Sequence, residues 1–162
     1  MLWLLNPSTR YIITDSKKNI LASFYYEGND LDVIPLIKRY VFNQMIYTLQ
    51  IIAMDYREED HEYVFGYAEV LEKQLTYIFH QETIHATSDL HDLSDVVRDR
   101  IRSLRETIEP LMNSTLVSIM KGNATEWQRA SEMAREILDS LGFVQMDPDE
   151  FEEGENLSMD WI

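Results

Sequence analysis

Two Glu-x-x-His pairs are the first candidates for a metal or catalytic site in this sequence. Glu58 precedes His61 by three positions, and Glu82 precedes His85 in the same way. Di-metal sites in helical bundles use this pairing together with carboxylates from two further helices. The residues around Glu58 and His85 are polar and are typical of turns or connections. We therefore favour solvated polar turns over a metal site, and we expect no cofactor.

Other catalytic arrangements are not indicated. His80, His85 and His91 are separated by five and six positions, which fits no common pattern of zinc ligands. The sequence has no Gly-x-Ser-x-Gly elbow, no glycine-rich phosphate loop and no cysteine. We expect a protein without enzymatic activity. A helical-bundle metalloprotein is the third of three possible functions, after a protein-interaction module and an acidic inhibitor that mimics nucleic acid.

The chain is strongly acidic. Its 162 residues include 14 basic and 29 acidic side chains, a formal net charge of −15. Most of such a surface repels a phosphate backbone, so we expect no direct binding to nucleic acid. The acidity instead allows an alternative to a protein-interaction module, namely an acidic inhibitor that mimics nucleic acid and occupies the basic groove of a nucleic-acid-binding protein.

Length and hydropathy predict one folded domain without a membrane span. Hydrophobic residues make up 45% of the 162 positions, enough to build one core. No apolar run approaches the roughly 20 residues that span a bilayer. The opening residues 1–5 are too few and lack the basic flank of a signal peptide. Because the absence of cysteine fits a reducing compartment, we expect a cytoplasmic protein.

The first third of the chain predicts a hairpin and a helix. Residues 10–14 and 20–26 are rich in β-branched and aromatic residues and are separated by a polar stretch, which indicates a β-hairpin. A helix is predicted from position 31 to about position 49, with Pro35 tolerated in its first turn. Its apolar residues recur at helical spacing, namely Val33, Ile37, Val41 and Met45.

Residues 50–86 allow two interpretations. The runs 63–68 and 75–79 are dominated by aromatic and β-branched residues, and Gly66 weakens a helix interior, so we favour two strands. The alternative is a long helix, because several residues also approximate a helical period: Tyr63, Tyr67, Val70, Gln74, Tyr77 and Ile78.

The last third of the domain predicts two amphipathic helices. The first is capped by residues 87–89 and interrupted by Pro110, and its apolar face consists of Leu93, Val97, Ile101, Leu104 and Ile108. A shorter segment, 111–120, ends at residues 121–123. The second helix ends at Gly142, and its apolar face consists of Trp127, Ala130, Ala134, Ile137, Leu138 and Leu141.

The order of hairpin, helix, strands and helix resembles the longin family, with the roadblock family second. Residues 11–25 carry the resemblance for the first hairpin, and residues 63–68 and 74–79 carry it for the later strands. It implies an α/β (α+β) fold in which helices flank an antiparallel sheet, over about residues 10–108, with a helical extension at 109–142. It also implies a catalytically inert platform that binds a small Ras-like GTPase or pairs with a second longin-like subunit as a homo- or heterodimer.

Residues 143–162 are predicted to form an acidic, flexible tail on a single globular domain, residues 1–142. The tail holds seven acidic residues and no basic one. Phe151, Trp161 and Ile162 could anchor a short linear motif in a basic groove of a partner. The alternative is a tail that folds back on its own domain.

A stripe of arginines on the predicted helix after position 89 is a second candidate for partner binding. Arg98, Arg102 and Arg105 share one side of that helix. The stripe either pairs with acids of the same chain, such as Asp95, Asp99 and Glu106, or docks an acidic partner. The sequence thus predicts a protein-binding module whose candidate residues are Phe151, Trp161, Ile162, Arg98, Arg102 and Arg105.

Overall fold

The fold combines one small sheet with helices. The structure, a computed structural model, describes residues 8–25, 34–77, 79 and 93–161. In chain order its elements are β1 (Arg10–Thr14), β2 (Ile20–Tyr25), α1 (Ile34–Ala53), α2 (His61–Tyr77), α3 (Asp95–Ile108), a short 3₁₀ helix (Glu109–Leu111), α4 (Leu116–Gly122), α5 (Thr125–Ser140), α6 (Pro148–Gly154) and β3 (Ser158–Trp161). The predicted mixed fold with an antiparallel sheet is confirmed at this level.

The sheet has the strand order β2-β1-β3, and both pairings are antiparallel. Tyr11 and Ile13 of β1 are buried on the inner face, whereas Arg10 is exposed on the outer face. Ile13 pairs with Ala22 while Thr14 pairs with Ile20, so Leu21 forms a bulge in β2. The predicted hairpin is confirmed, and the third strand comes from the far end of the described chain.

The central element of the core is α1. Every residue from Gln44 to Ala53 is buried, and the helix packs against α2, α5 and α6. A helix that is covered on all sides needs apolar residues on every face, as this sequence has. The predicted helix is confirmed, with Pro35 in its first turn and an end at Ala53. None of the helices within the described ranges, α1 included, is long and apolar enough to cross a membrane.

The strands predicted at 63–68 and 75–79 are wrong. Residues 63–68 and 75–77 belong to the single helix α2, His61–Tyr77. The buried side chains recur at three- and four-residue intervals, namely Val64, Tyr67, Ala68, Leu71 and Leu75. The Asp60 carboxylate accepts the Tyr63 N–H at 2.9 Å and so caps the first turn. Helical periodicity therefore overrides the β-propensity of the aromatic residues, as the alternative interpretation held.

The two amphipathic helices predicted in the last third are confirmed as α3 and α5. The five residues of the first apolar face are all buried. Ser94 caps α3 by accepting the Val97 N–H at 3.2 Å, whereas the predicted cap at residues 87–89 lies outside the described residues. Gly142, with φ of 81°, follows α5, and the Phe143 N–H closes its end on the Leu138 carbonyl at 2.9 Å.

The predicted flexible tail is not confirmed, because residues 148–154 form α6 and residues 158–161 form β3. Asp147 caps α6 and Pro148 occupies its first position, a combination that favours a helix start. β3 pairs with β1, so the predicted boundary at Gly142 does not divide the domain from a separate tail. The additional strands after α1 that the longin resemblance implies are likewise not confirmed.

Candidate protein-binding site

β2 is an edge strand. Among the described residues it pairs only with β1, and no described strand pairs with the backbone groups on its other side. Because Leu21 is bulged, residues 22–25 are the regular part of this edge. β1 is itself held in the sheet by β3 on its other side, which makes the edge part of a fixed framework.

β2 concentrates exposed apolar side chains. Seven large hydrophobic side chains are exposed among the described residues, and three of them lie on this six-residue strand. Ile20 is 65% exposed, Leu21 42% and Tyr25 54%. Ile20 and Tyr25 lie on the outer face of the sheet, because they are paired with Thr14 and Arg10. Clustered exposed apolar residues of this kind mark interaction surfaces.

The composition of β2 does not protect its edge. Natural edge strands are commonly blunted by charged side chains, especially lysine, or by proline. The sequence of β2, Ile-Leu-Ala-Ser-Phe-Tyr, contains neither. Its only blunting device is the bulge at Leu21, which leaves the four residues after it regular. The strand therefore has the composition of one that pairs on both sides.

The turn before β2 presents two lysines in a fixed conformation. The Asp15 carboxylate accepts the backbone N–H groups of Lys17 and Asn19, and also the Asn19 side-chain amide, each at 2.9 Å. The Asn19 side-chain hydrogen bond is the main cause that lowers the pKa of Asp15. Lys18 adopts a left-handed conformation with φ of 67°. Lys17 and Lys18 are exposed at this end of β2.

Of the apolar residues proposed as tail anchors, Phe151 is a core residue in the structure. Phe151 is 2% exposed and its ring stacks on Tyr47 with a centroid distance of 5.8 Å. Trp161 lies in β3, with its Cα opposite that of Tyr11. Ile162 lies outside the described residues. The burial of Phe151 agrees with the alternative interpretation, in which the segment folds back on its own domain.

The arginine stripe is engaged within the chain. Arg98 forms an ion pair with Asp95, and the Arg102 guanidinium lies 2.7 Å from the Asp99 carboxylate. Arg105 donates to the Phe79 carbonyl at 3.2 Å. These contacts are local or internal, as the first of the two interpretations of the stripe expects.

The histidine pairs do not assemble a metal site in the described part of the chain. Glu58 and His61 are both exposed, and the His61 ring stacks on Phe65. Within the described ranges no group of three or more His, Asp or Glu side chains could hold a metal ion. His80, Glu82, His85 and His91 lie outside the described residues.

Two amide side chains of α1, the buried Gln44 and the half-buried Asn43, hold the C-terminal segment in place. Gln44 Nε2 donates to Asn156 Oδ1 and to the Leu157 carbonyl, both at 2.7 Å, and Gln44 Oε1 accepts from Gln74 Nε2 at 2.8 Å. Asn43 Oδ1 accepts the Leu157 N–H at 2.8 Å. These bonds fix the residues that lead into β3 and thereby the second partner of β1.

A cluster of two tyrosines on α2, Tyr63 and Tyr67, holds the start of α6. The Tyr67 hydroxyl donates to Asp149, and the Tyr63 hydroxyl donates to the same carboxylate at 3.0 Å. Burial, and then the hydrogen bond to Asp149, raises the pKa of Tyr67. The same two causes raise the pKa of Tyr63. The cluster is therefore held in its neutral form by the fold.

These pKa shifts predict a loss of stability in alkali. Because the folded state keeps its tyrosine protons above the ordinary tyrosine pKa of about 10, the stabilisation is complete below that pH and declines above it. In urea unfolding between pH 8 and pH 11, the free energy of unfolding should fall above about pH 10. Tyr67→Phe should be less stable at pH 8 and should show a shallower decline.

The control for this experiment is Tyr25→Phe, which alters an exposed tyrosine on β2. It should leave both the stability at pH 8 and the steepness of the alkaline decline close to those of the natural chain. Equal slopes for Tyr67→Phe and the natural chain would show that the Tyr67 contact to Asp149 does not contribute to the alkaline transition.

Comparison with models of known protein families, with curated proteins and with solved structures finds no match. The candidate site is therefore defined by its own geometry. Sequence reasoning identified the β2 strand but not its role as an exposed edge. The signal that could have indicated it is a β-prone run without any charged residue.

Proposed function

We propose that this protein is a non-catalytic protein–protein interaction module that takes up an extended segment of a partner protein along β2. The observation that carries this proposal is an edge strand with three exposed apolar side chains and without charge or proline. In strand addition, main-chain hydrogen bonds provide affinity and alternate side chains provide specificity.

The scaffold suits strand addition because it is organised before the partner arrives. The inner-face residues Tyr11, Ile13 and Phe24 are buried in the core, and β3 occupies the other side of β1. Binding to such an edge requires ordering of the partner segment alone, which lowers the entropic cost. Apolar partner residues on the outer face would contact Ile20 at one end of the strand and Tyr25 at the other.

The partner classes implied by the longin resemblance are a small Ras-like GTPase and a second longin-like subunit. Strand addition requires only that the partner offers an extended segment with free backbone groups. The proposal is therefore tested with peptides, which isolate the chemistry of the edge from the identity of the partner.

Selection from a phage-displayed library of random dodecapeptides tests the function. The full-length chain should enrich peptides that lose binding to the variant Ile20→Asp/Leu21→Asp, because the substitutions place charge on the apolar part of the edge. Synthetic copies of the enriched peptides should perturb the amide resonances of residues 22–25. The chain used must extend to residue 162, because one that ends at Gly142 would lack α6 and β3.

The matched control is Phe65→Asp/Val96→Asp, which makes the same change at two exposed apolar side chains on α2 and α3. It should bind the enriched peptides as the natural chain does. Unfolding curves and far-ultraviolet circular dichroism verify that both variants are folded. If no peptide distinguishes the natural chain from the β2 variant, the proposed function is wrong.

A further inference from the structure

Basic residues bracket β2 in a protein that is otherwise acidic. The hairpin region, residues 8–25, carries Arg10, Lys17 and Lys18 against the single acid Asp15, whereas the whole chain carries −15. All three basic side chains are exposed, and none of the ion pairs within the described ranges involves them. The hairpin is thus a basic region of an acidic molecule.

The basic residues flank the exposed apolar side chains of β2. Lys17 and Lys18 precede Ile20, and Arg10 is paired with Tyr25 towards the opposite end, where its Nε donates to Ser23 Oγ at 2.9 Å. From Lys18 to Tyr25 the chain spans about 20 Å at the usual rise of a strand. A partner strand along this edge would meet positive charge first, then apolar side chains, then positive charge again.

From this layout we propose that the segment taken up by β2 is acidic at both ends and apolar between them, over about seven residues. The inference rests on the proposed function and names the chemistry of the partner. Opposite charges steer the encounter and set the register of the added strand, while the apolar residues between the acids pack on the exposed apolar side chains of β2.

The opposite edge of the sheet shows that β1 already accepts a strand of related composition. β3 has the sequence Ser-Met-Asp-Trp and pairs with β1 over four residues. Asp160 is paired with Ile12, so Asp160 belongs to the same face of the sheet as Arg10. A short strand with an acid on its outer face is thus compatible with this sheet.

A second copy of this chain is the less favourable occupant. Pairing of β2 with β2 of another copy would bring two basic hairpins together, and each copy carries a net charge of −15. Like charges placed close together across an interface oppose association. Complementary charge therefore favours an acidic segment from a different protein.

The test examines the sequences of the peptides that the chain enriches. These peptides should carry Asp or Glu at both ends of an apolar centre. A synthetic peptide of this kind should bind about tenfold more weakly to Lys17→Glu/Lys18→Glu, since two exposed charge pairs are lost and replaced by repulsion. The same peptide with lysine at its acidic positions should prefer that variant. Binding to the natural chain should weaken as salt rises.

The matched control is Lys73→Glu/Arg129→Glu, which changes the net charge equally at two exposed positions on α2 and α5. It should retain the affinity of the natural chain. Enriched peptides that require Ile20 and Leu21 but are neutral or basic would overturn this inference and leave the proposed function standing. Sedimentation showing a dimer that Ile20→Asp/Leu21→Asp converts to a monomer would also overturn it, because β2 would then be occupied by a second copy.

Discussion

Phe151→Ala should lower the free energy of unfolding by about 3–5 kcal/mol, the usual cost of truncating a buried phenylalanine. Phe151 is 2% exposed and stacks on Tyr47 of the central helix, so its removal leaves a cavity between α6 and α1. Urea unfolding at neutral pH measures the change. The effect should be large although the residue lies in the most acidic part of the chain.

The control is Glu153→Ala, which alters an exposed side chain of the same helix. Its effect should stay within about 0.5 kcal/mol, as is usual for surface positions. The two substitutions together distinguish a packed segment from a flexible tail, because in a flexible tail both would have small and similar effects. Such a result would restore the tail predicted from composition.

The position of Phe151 also links the C-terminal segment to the candidate binding site. α6 leads directly into β3, and β3 is the second partner of β1, which supports β2. Loss of α6 packing should therefore loosen β3 and then the edge that we propose as the binding surface. Phe151 acts on binding through the scaffold, without contact to the partner.

The elements that could be predicted from the sequence are those with strong local signals. The hairpin has two β-prone runs around a polar turn, and α3 has one apolar stripe whose members are all buried. The end of α5 was predictable because Gly142 supplies the positive φ that closes the helix. In each case the local preference and the tertiary packing agree.

Three elements, α2, α6 and β3, were not predicted, because their local signals conflict with one another or because their partner lies far away in the chain. In α2, aromatic residues suggest strands, while the cap at Asp60 and the spacing of Val64, Leu71 and Leu75 specify a helix. In β3, the density of acids suggests disorder, and its pairing partner β1 lies almost the whole chain away. The capping pair Asp147 and Pro148 was the available local signal for α6.

The candidate site was only partly accessible from the sequence. A run such as β2 can be identified as a strand, but whether it is central or an edge depends on the order β2-β1-β3, which no local pattern encodes. The polar residues of α1 carried a further signal. Gln44 and Gln50 lie in a mostly apolar stretch of the helix, and buried amides need hydrogen-bonding partners. Those partners are the Leu157 and Val144 carbonyls of the C-terminal segment.

Gln44→Glu should be among the most destabilising isosteric changes in this protein, costing about 2–5 kcal/mol at pH 7. It replaces the donor Nε2 with an oxygen that faces Asn156 Oδ1 and the Leu157 carbonyl, each 2.7 Å from that nitrogen. The Asn156 amide can rotate to present its own donor, but the Leu157 carbonyl is fixed by the backbone. A buried carboxylate would also lose its hydration.

The control for this substitution is Gln128→Glu, which makes the same atomic change at an exposed position where Nε2 donates to the Asn123 carbonyl at 2.8 Å. Water can replace that bond, so the cost should be within about 0.5 kcal/mol. Burial should raise the pKa of the carboxyl introduced at position 44 above its unfolded value of about 4.3, so the deficit relative to the natural chain should shrink as pH falls towards 4. Equal costs at the two positions, independent of pH, would show that Gln44 does not anchor the segment before β3, and the scaffold of the β2 edge would then depend on apolar packing alone.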